Sequence, residues 1–224
     1  VTGRLTVSLG PNILTLKRSN RKILKSRFPG GNIVQVDISS LEPRIALSVA
    51  GKSAPDDIYS HVSKNIFNGE LTRSHAKQAI LTCIYGGSSW TIKKNLPDNL
   101  NAENILRDVK RYFEIDGLNK MLESEIVEKG FITNLYGRRI NSGESLVNHF
   151  LQSTGVDVSL SVFRSCLSAL DESCEEYVPL YVIHDAIVLD VSESCLTALR
   201  EICANSFQVD NIECKFPVKV DIIS

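Results

Sequence analysis

Asp37 lies at the end of the short β-rich run NIVQVDI (32–38), and Asp185 sits inside YVIHDAIVLDV (181–191). A carboxylate at a strand end can hold a hard divalent cation at the sheet edge; the same position also suits an aspartate that caps the next helix. That helix carries Glu42 and Arg44 (VDISSLEPRIAL, 36–47), and Pro43 is tolerable only near its start. His184-Asp185 falls at the tight turn of a predicted hairpin, with apolar residues on both sides. An aspartate among apolar neighbours is costly unless it is paired or metal-bound, although turns also favour the residue for its backbone geometry.

A third constellation is cationic. In RSHAKQAILTCIYGG (73–87), Arg73, Lys77, Leu81 and Tyr85 recur every four residues and form a slowly drifting stripe on one side of a helix. Two cations one turn apart repel unless an anion lies over them. A triphosphate suits them, since arginine grips phosphate oxygens bidentately and lysine supplies a point charge and a proton. A solvated basic face is the plainer alternative. Tyr85 precedes Gly86-Gly87, and small residues at a helix end let a ring or base approach closely.

The elements that must position these groups can be read in outline. Residues 1–31 are irregular or short-stranded up to the turn signal Pro29-Gly30-Gly31. Helical patterns cover 41–50, 56–67 and 71–86, then 102–129 with a break near Asp116-Gly117. FITNLYGRRI (131–140) reads as a hairpin turning at Gly137, and 145–170 as one long helix. Strands at 179–185 and 186–191, a helix from Ser192 to about Phe207 and a strand over 215–223 follow. This mixture predicts an α+β fold, an antiparallel sheet backed by helices. The helical stretch after the first strand predicts an insertion: residues 1–50 and 131–224 form the sheet part, and 51–130 the inserted part.

The 224 residues are 43% hydrophobic and 23% charged, ordinary for a globular enzyme. No apolar run approaches the ~20 residues of a membrane span, so no membrane partner is expected. Cys83, Cys166, Cys174, Cys195, Cys203 and Cys214 form no C-x-x-C pair and have no histidine at zinc-finger spacing. They are expected to be free thiols, mostly buried, in a reducing intracellular compartment. Net charge is −1, yet no acidic residue precedes Asp37, while Arg4, Lys17, Arg18, Arg21, Lys22, Lys25 and Arg27 do. Such a one-sign segment is a candidate phosphate-contacting surface or a solvated basic face.

Taken together, in this order, the three constellations resemble motifs A, B and C of the family A DNA polymerases, the bacterial DNA polymerase I and T-odd phage replicase type. The likeness runs along nearly the whole chain. TGRL (2–5) with Pro11-Asn12 resembles the family's TGRLSS…PNLQ segment, and NLYGRRI (134–140) its T-x-x-GRRR hairpin. NHFLQSTGVDV (148–158) resembles the N-x-x-x-Q helix, and KFPVKVDI (215–222) the closing strand.

The resemblance implies a palm sheet with a helical fingers insertion and a two-metal transfer of dNTP to a primer 3′-hydroxyl, releasing pyrophosphate. Asp37, Asp185 and the backbone carbonyl of Ile38 would bind two Mg²⁺ ions, with Mn²⁺ a possible substitute. Arg73 and Lys77 would clamp the triphosphate, with Lys77 also protonating pyrophosphate. Tyr85 would stack near the nascent base pair, and Glu42 would close the space a ribose 2′-hydroxyl needs. Arg4, Asn148 and Gln152 would read the minor groove near the primer terminus. His184, Arg138, Lys17, Arg18 and Arg21 would make further DNA contacts.

Several departures stand out. The family's HDE is here His184-Asp185-Ala186, so one carboxylate is missing. Leu81 replaces an aromatic residue at the incoming sugar, Tyr59 stands where a triphosphate-contacting histidine is common, and Leu14 replaces a glutamine. The family's thumb and exonuclease domain precede TGRL, so a segment or separate subunit bearing them is an expected partner, beside primer-template DNA. Leu81 and Ala186 lean towards a single-subunit RNA polymerase, while Glu42 and TGRL lean against it. Ala186 also motivates a degenerate fold that binds primer-template without catalysis.

Overall fold

The computed structural model describes residues 2–9, 13–94, 96, 97, 100–141 and 145–224, apart from the side chains of Arg18 and Ser19. Pro11-Asn12 lies outside the described residues. Helices and strands mix, in runs of each, in an α+β architecture. Two 3₁₀ turns, Ile13–Thr15 and Arg18–Ile23, precede β1 (Asn32–Ile38) and α1 (Leu41–Val49). Then come α2 (Ile58–His61), a π-helical turn (Val62–Ile66), α3 (Arg73–Ile84), α4 (Ser89–Lys93), α5 (Ala102–Phe113) and α6 (Ile115–Lys129). A short hairpin, β2 (Ile132–Thr133) and β3 (Arg139–Ile140), leads to the long helix α7 (Leu146–Asp171). The chain continues with β4 (Tyr177–Ile183), β5 (Ala186–Val191), α8 (Glu193–Cys203), β6 (Phe207–Val209), β7 (Ile212–Phe216) and β8 (Val218–Ile222).

Two compact units result. One holds Val1–Thr2 and Glu42–Thr154; the other holds Gly3–Leu41 and Gly155–Ser224. The second unit carries an antiparallel sheet in the order β4-β5-β1-β8. β1 and β5 lie inside the sheet, and their long buried runs reflect cover on both faces. Val34 and Val36 stand opposite Leu189 and Ile187 on one face, and α8 packs on β5 and β8. On the other face Ile33, Ile183, Ala186, Val188 and Ile223 form a cluster covered by Leu14 and Leu24 of the N-terminal segment. That segment is tied down at Asp190, only 2% exposed, which accepts hydrogen bonds from Ser26 Oγ at 2.6 Å and Arg27 Nε at 3.2 Å. A Cβ on Gly31 would lie 2.7 Å from the Val191 carbonyl oxygen, so only glycine fits that turn.

In the helical unit, α3 begins at Thr72, whose side chain accepts from the His75 amide. It ends in a Schellman arrangement: Gly86 N–H donates to Cys83 O and Gly87 N–H to Thr82 O, with Gly86 left-handed. Pro43 occupies the first turn of α1, where its missing N–H costs nothing.

Four expectations are corrected. The helix break falls at Glu114, which is left-handed, and Gly117 lies within α6. The last helix stops at Cys203, and the hairpin β6–β7, turning at left-handed Asn211, follows it. Pro217, which has no N–H for a ladder, divides the last strand into β7 and β8. The cysteines are not all free: Cys174 and Cys195 form a disulfide with Cα atoms 5.7 Å apart, while Cys83, Cys166, Cys203 and Cys214 are free and buried. Neither partner's sequence context marks it, because the pair meets only where the α7–β4 connection reaches α8. Among the described residues no helix is long and apolar enough to cross a membrane.

Candidate functional site

In the sheet unit, Asp37 is the last residue but one of β1 and pairs with Ala186, the first residue of β5. One rung further, the Ile38 amide donates to the Asp185 carbonyl at 3.1 Å. Asp37 on β1 and Asp185 in the turn that leads into β5 therefore lie one rung apart, and both are half-buried. The β4–β5 connection consists of His184 and Asp185 alone, since Ile183 already pairs with Ala186. Two-residue hairpin turns need a positive φ to match strand twist, and His184 supplies it at 53°. His184 is exposed. It lines a cavity of about 250 Å³ together with Arg4, Leu5, Val156, Leu160 and Val182.

Sheet alternation places Gln35 on the same face as Asp37. Its amide Nε2 donates to Asp37 Oδ2 at 3.1 Å, and its Oε1 accepts from Arg21 Nη1 at 2.8 Å. Arg21, expected on a DNA-facing basic surface, is instead buried, and its Nε donates to the Leu16 carbonyl. Lys17 and Arg4 are exposed, whereas the Arg18 side chain lies outside the described residues. Lys219, exposed on β8, stands directly across from Asp37. Sequence reasoning missed Gln35 and Lys219, although the period of two would have placed Gln35 beside Asp37.

In the helical unit, Arg73 and Lys77 lie on the exposed side of α3, opposite the buried Ala76, Ala79, Ile80 and Cys83. Their charge is locally organised. Arg73 Nε donates to Asp57 Oδ2 at 2.7 Å, and both cations lie over the Tyr59 ring, at 5.2 and 5.7 Å from its centre. Asp57 also caps α2 by accepting from the Ser60 amide and hydroxyl. Burial pushes its carboxyl up, but the Arg73 and Ser60 hydrogen bonds outweigh that and hold it at about 2. The same hydrogen bond raises the Arg73 pKa.

The remaining candidates of this unit fall as follows. Glu42 is buried in α1, and Tyr85, exposed at the end of α3, points its hydroxyl at Glu42 Oε1 across 3.5 Å. Leu81 is half-buried. Gln152 Nε2 donates to Asn148 Oδ1 at 2.6 Å along α7, and Arg138 is exposed at the β2–β3 turn.

The donor types that Asp37, Asp185 and Ile38 carry suit a hard cation. Two carboxylates and a carbonyl are oxygen ligands of the kind Mg²⁺ and Mn²⁺ take, and Mg²⁺ commonly binds through one or two carboxylates plus substrate phosphates and water. Among the described residues no group of three or more His, Cys, Asp or Glu side chains converges. Water and phosphate would have to complete the coordination.

The model of the family described as DNA polymerase family A matches residues 1–224. No curated protein matches the sequence. Among solved structures, the chain is similar to the POL domain of Pol1 from M. smegmatis in complex with DNA primer-template and dNTP. The TM-score is 0.68 at 18% identity, over 99% of this chain and 45% of that one. The chain thus spans less than half of that structure, and the likeness is one of fold.

Proposed function

The chain belongs to DNA polymerase family A, and we propose that it is the part in which a dNTP is joined to a primer 3′-hydroxyl with release of pyrophosphate. The observation that carries this reading is the backbone pairing that sets Asp37 and Asp185 on adjacent rungs of β1 and the β4–β5 turn. Their carboxylates, with the Ile38 carbonyl, would hold two Mg²⁺ ions. When bound, the ions would favour the ionised 3′-oxygen and neutralise charge developing on the pyrophosphate.

The other roles belong to the chain's own side chains. Arg73 binds phosphate oxygens through its planar fork, and Lys77 adds charge and donates a proton to the departing pyrophosphate. For this, Arg73 must exchange Asp57 for the triphosphate. Tyr59, beneath both cations, fixes their spacing. Glu42, with Tyr85 facing it, excludes a 2′-hydroxyl by filling its space. Such exclusion discriminates strongly because a buried carboxylate has no room to yield. Arg4, Lys17, Arg138, Asn148, Gln152 and His184 line the DNA.

A second reading rests on Ala186. It is 1% exposed within the apolar cluster and stands where the family's motif carries a carboxylate. On that reading the chain grips primer-template without extending it. Single-nucleotide extension of a primer-template, with dNTP or NTP and with Mg²⁺ or chelator, separates the alternatives. Metal-dependent dNTP incorporation is expected. Preferential NTP incorporation would transfer the chain to RNA synthesis, and binding without incorporation of either would leave only the gripping role.

A further inference from the structure

We propose that Gln35, set by the buried Arg21, is the positioning residue that fixes the orientation of the Asp37 carboxylate. The inference rests on the metal-binding reading of Asp37 and deepens it. Gln35 is 7% exposed and Arg21 9%, so neither exchanges freely with water. Arginine can only donate hydrogen bonds. The Arg21 contact at 2.8 Å therefore requires the oxygen of the Gln35 amide to face Arg21 and its NH₂ to face Asp37. Which way this amide points is decided by chemistry, in a setting where such orientations are ordinarily ambiguous.

The order of the relay matters. A guanidinium placed directly on Asp37 would neutralise the carboxylate and compete with a cation for both oxygens. A neutral amide between them engages Oδ2 at 3.1 Å and brings no net charge. Arg21 also polarises the amide and strengthens the Nε2–H donor. Flanking groups on the same face are Lys219 opposite Asp37 and Asp221 opposite Gln35. Partners of metal-binding carboxylates orient their ligands, and losing one typically weakens metal affinity by about 10-fold or more.

The test is Mn²⁺ binding to the protein, followed by electron paramagnetic resonance and calorimetry without nucleotide or DNA. The variants are Gln35→Leu, Arg21→Met, the double variant and Asp37→Ala. Gln35→Leu should weaken Mn²⁺ binding by about 10-fold and raise the half-saturating Mg²⁺ of primer extension alike, with the dNTP KM unchanged at saturating Mg²⁺. Arg21→Met should act in the same direction but less. The double variant should match Gln35→Leu, because Arg21 acts through Gln35. Unchanged Mn²⁺ affinity in Gln35→Leu, or additive losses in the double variant, would overturn the relay. If Asp37→Ala also keeps its Mn²⁺ affinity, the metal site itself fails and not the relay alone. Should Gln35→Leu not fold, Gln35→Met serves the same comparison with a flexible, donor-free side chain.

Discussion

The two units hold their candidate chemistry in different ways. In the sheet unit the carboxylates are backbone-determined: Asp37 is locked by its pairing with Ala186, Asp185 by a two-residue turn, and the Asp37 side chain by a buried relay. In the helical unit the cations lie on an exposed helix face. They are held only by side-chain contacts, to Asp57 and to the Tyr59 ring. The first arrangement is pre-organised, and any change to it costs the folded structure something. The second is exchangeable, because an ion pair with both partners more than a third exposed contributes about 0–1 kcal/mol and yields to a stronger anion. On the proposed reading, a cation site benefits from rigidity, and a site that would release pyrophosphate each cycle benefits from exchange.

Removing a member of the rigid set should have the largest effect. Asp37→Ala is expected to slow single-nucleotide incorporation about a thousandfold, roughly 4 kcal/mol of barrier, measured by rapid quench at saturating Mg²⁺. A loss under tenfold would place the catalytic cations elsewhere. Next is the scaffold of the same unit. Reducing Cys174–Cys195, which closes a sequence separation of 21 residues, should lower its unfolding free energy by about 2–4 kcal/mol. Denaturant titration with and without reductant, with Cys195→Ser as control, reads this out; identical curves would remove the staple from the contrast.

The helical unit should respond in substrate affinity. Arg73→Ala is expected to raise the dNTP KM by about 10- to 100-fold, the roughly 1.5–3 kcal/mol of hydrogen bonds to a charged group. Asp57→Asn should act with the opposite sign. It keeps the helix cap, since asparagine also accepts from the Ser60 amide, but frees Arg73, so KM should fall by about 2- to 5-fold. A rise instead would mean that Asp57 holds Arg73 in its working position.

The smallest effect concerns pH. The Asp57 carboxyl is held at about 2, below its ordinary 3.8. A depressed carboxyl contributes stability that is present in full above the unfolded value and lost as pH falls through the folded one. Between pH 4 and 2 the wild type should therefore lose up to about 1 kcal/mol more than Asp57→Asn, the limit for an exposed pair. Parallel curves would show that the ion pair is too well solvated to matter.

Much of this protein is written locally. The run 32–38 and the run 186–191 became strands with the bounds their β-branched residues suggested, and the Gly86-Gly87 pair ended α3 as left-handed glycine does. These features depend on neighbours a few residues away, so sequence alone determines them, as it does the family to which the motifs belong. What spans distance was decided by tertiary structure. Arg21 looks like every other cation of its basic segment, and only the burial of that segment against the sheet turns it inward to Gln35. Cys174 and Cys195 carry no spacing signal, and only the packing of α8 brings them together. Asp57 caps α2 through its own near neighbour Ser60, whereas its hold on Arg73 exists only because α2 and α3 adjoin. The physical reason is common to all three: backbone preference is local, whereas the partner of a buried or paired polar group is whatever the folded chain places within hydrogen-bonding reach.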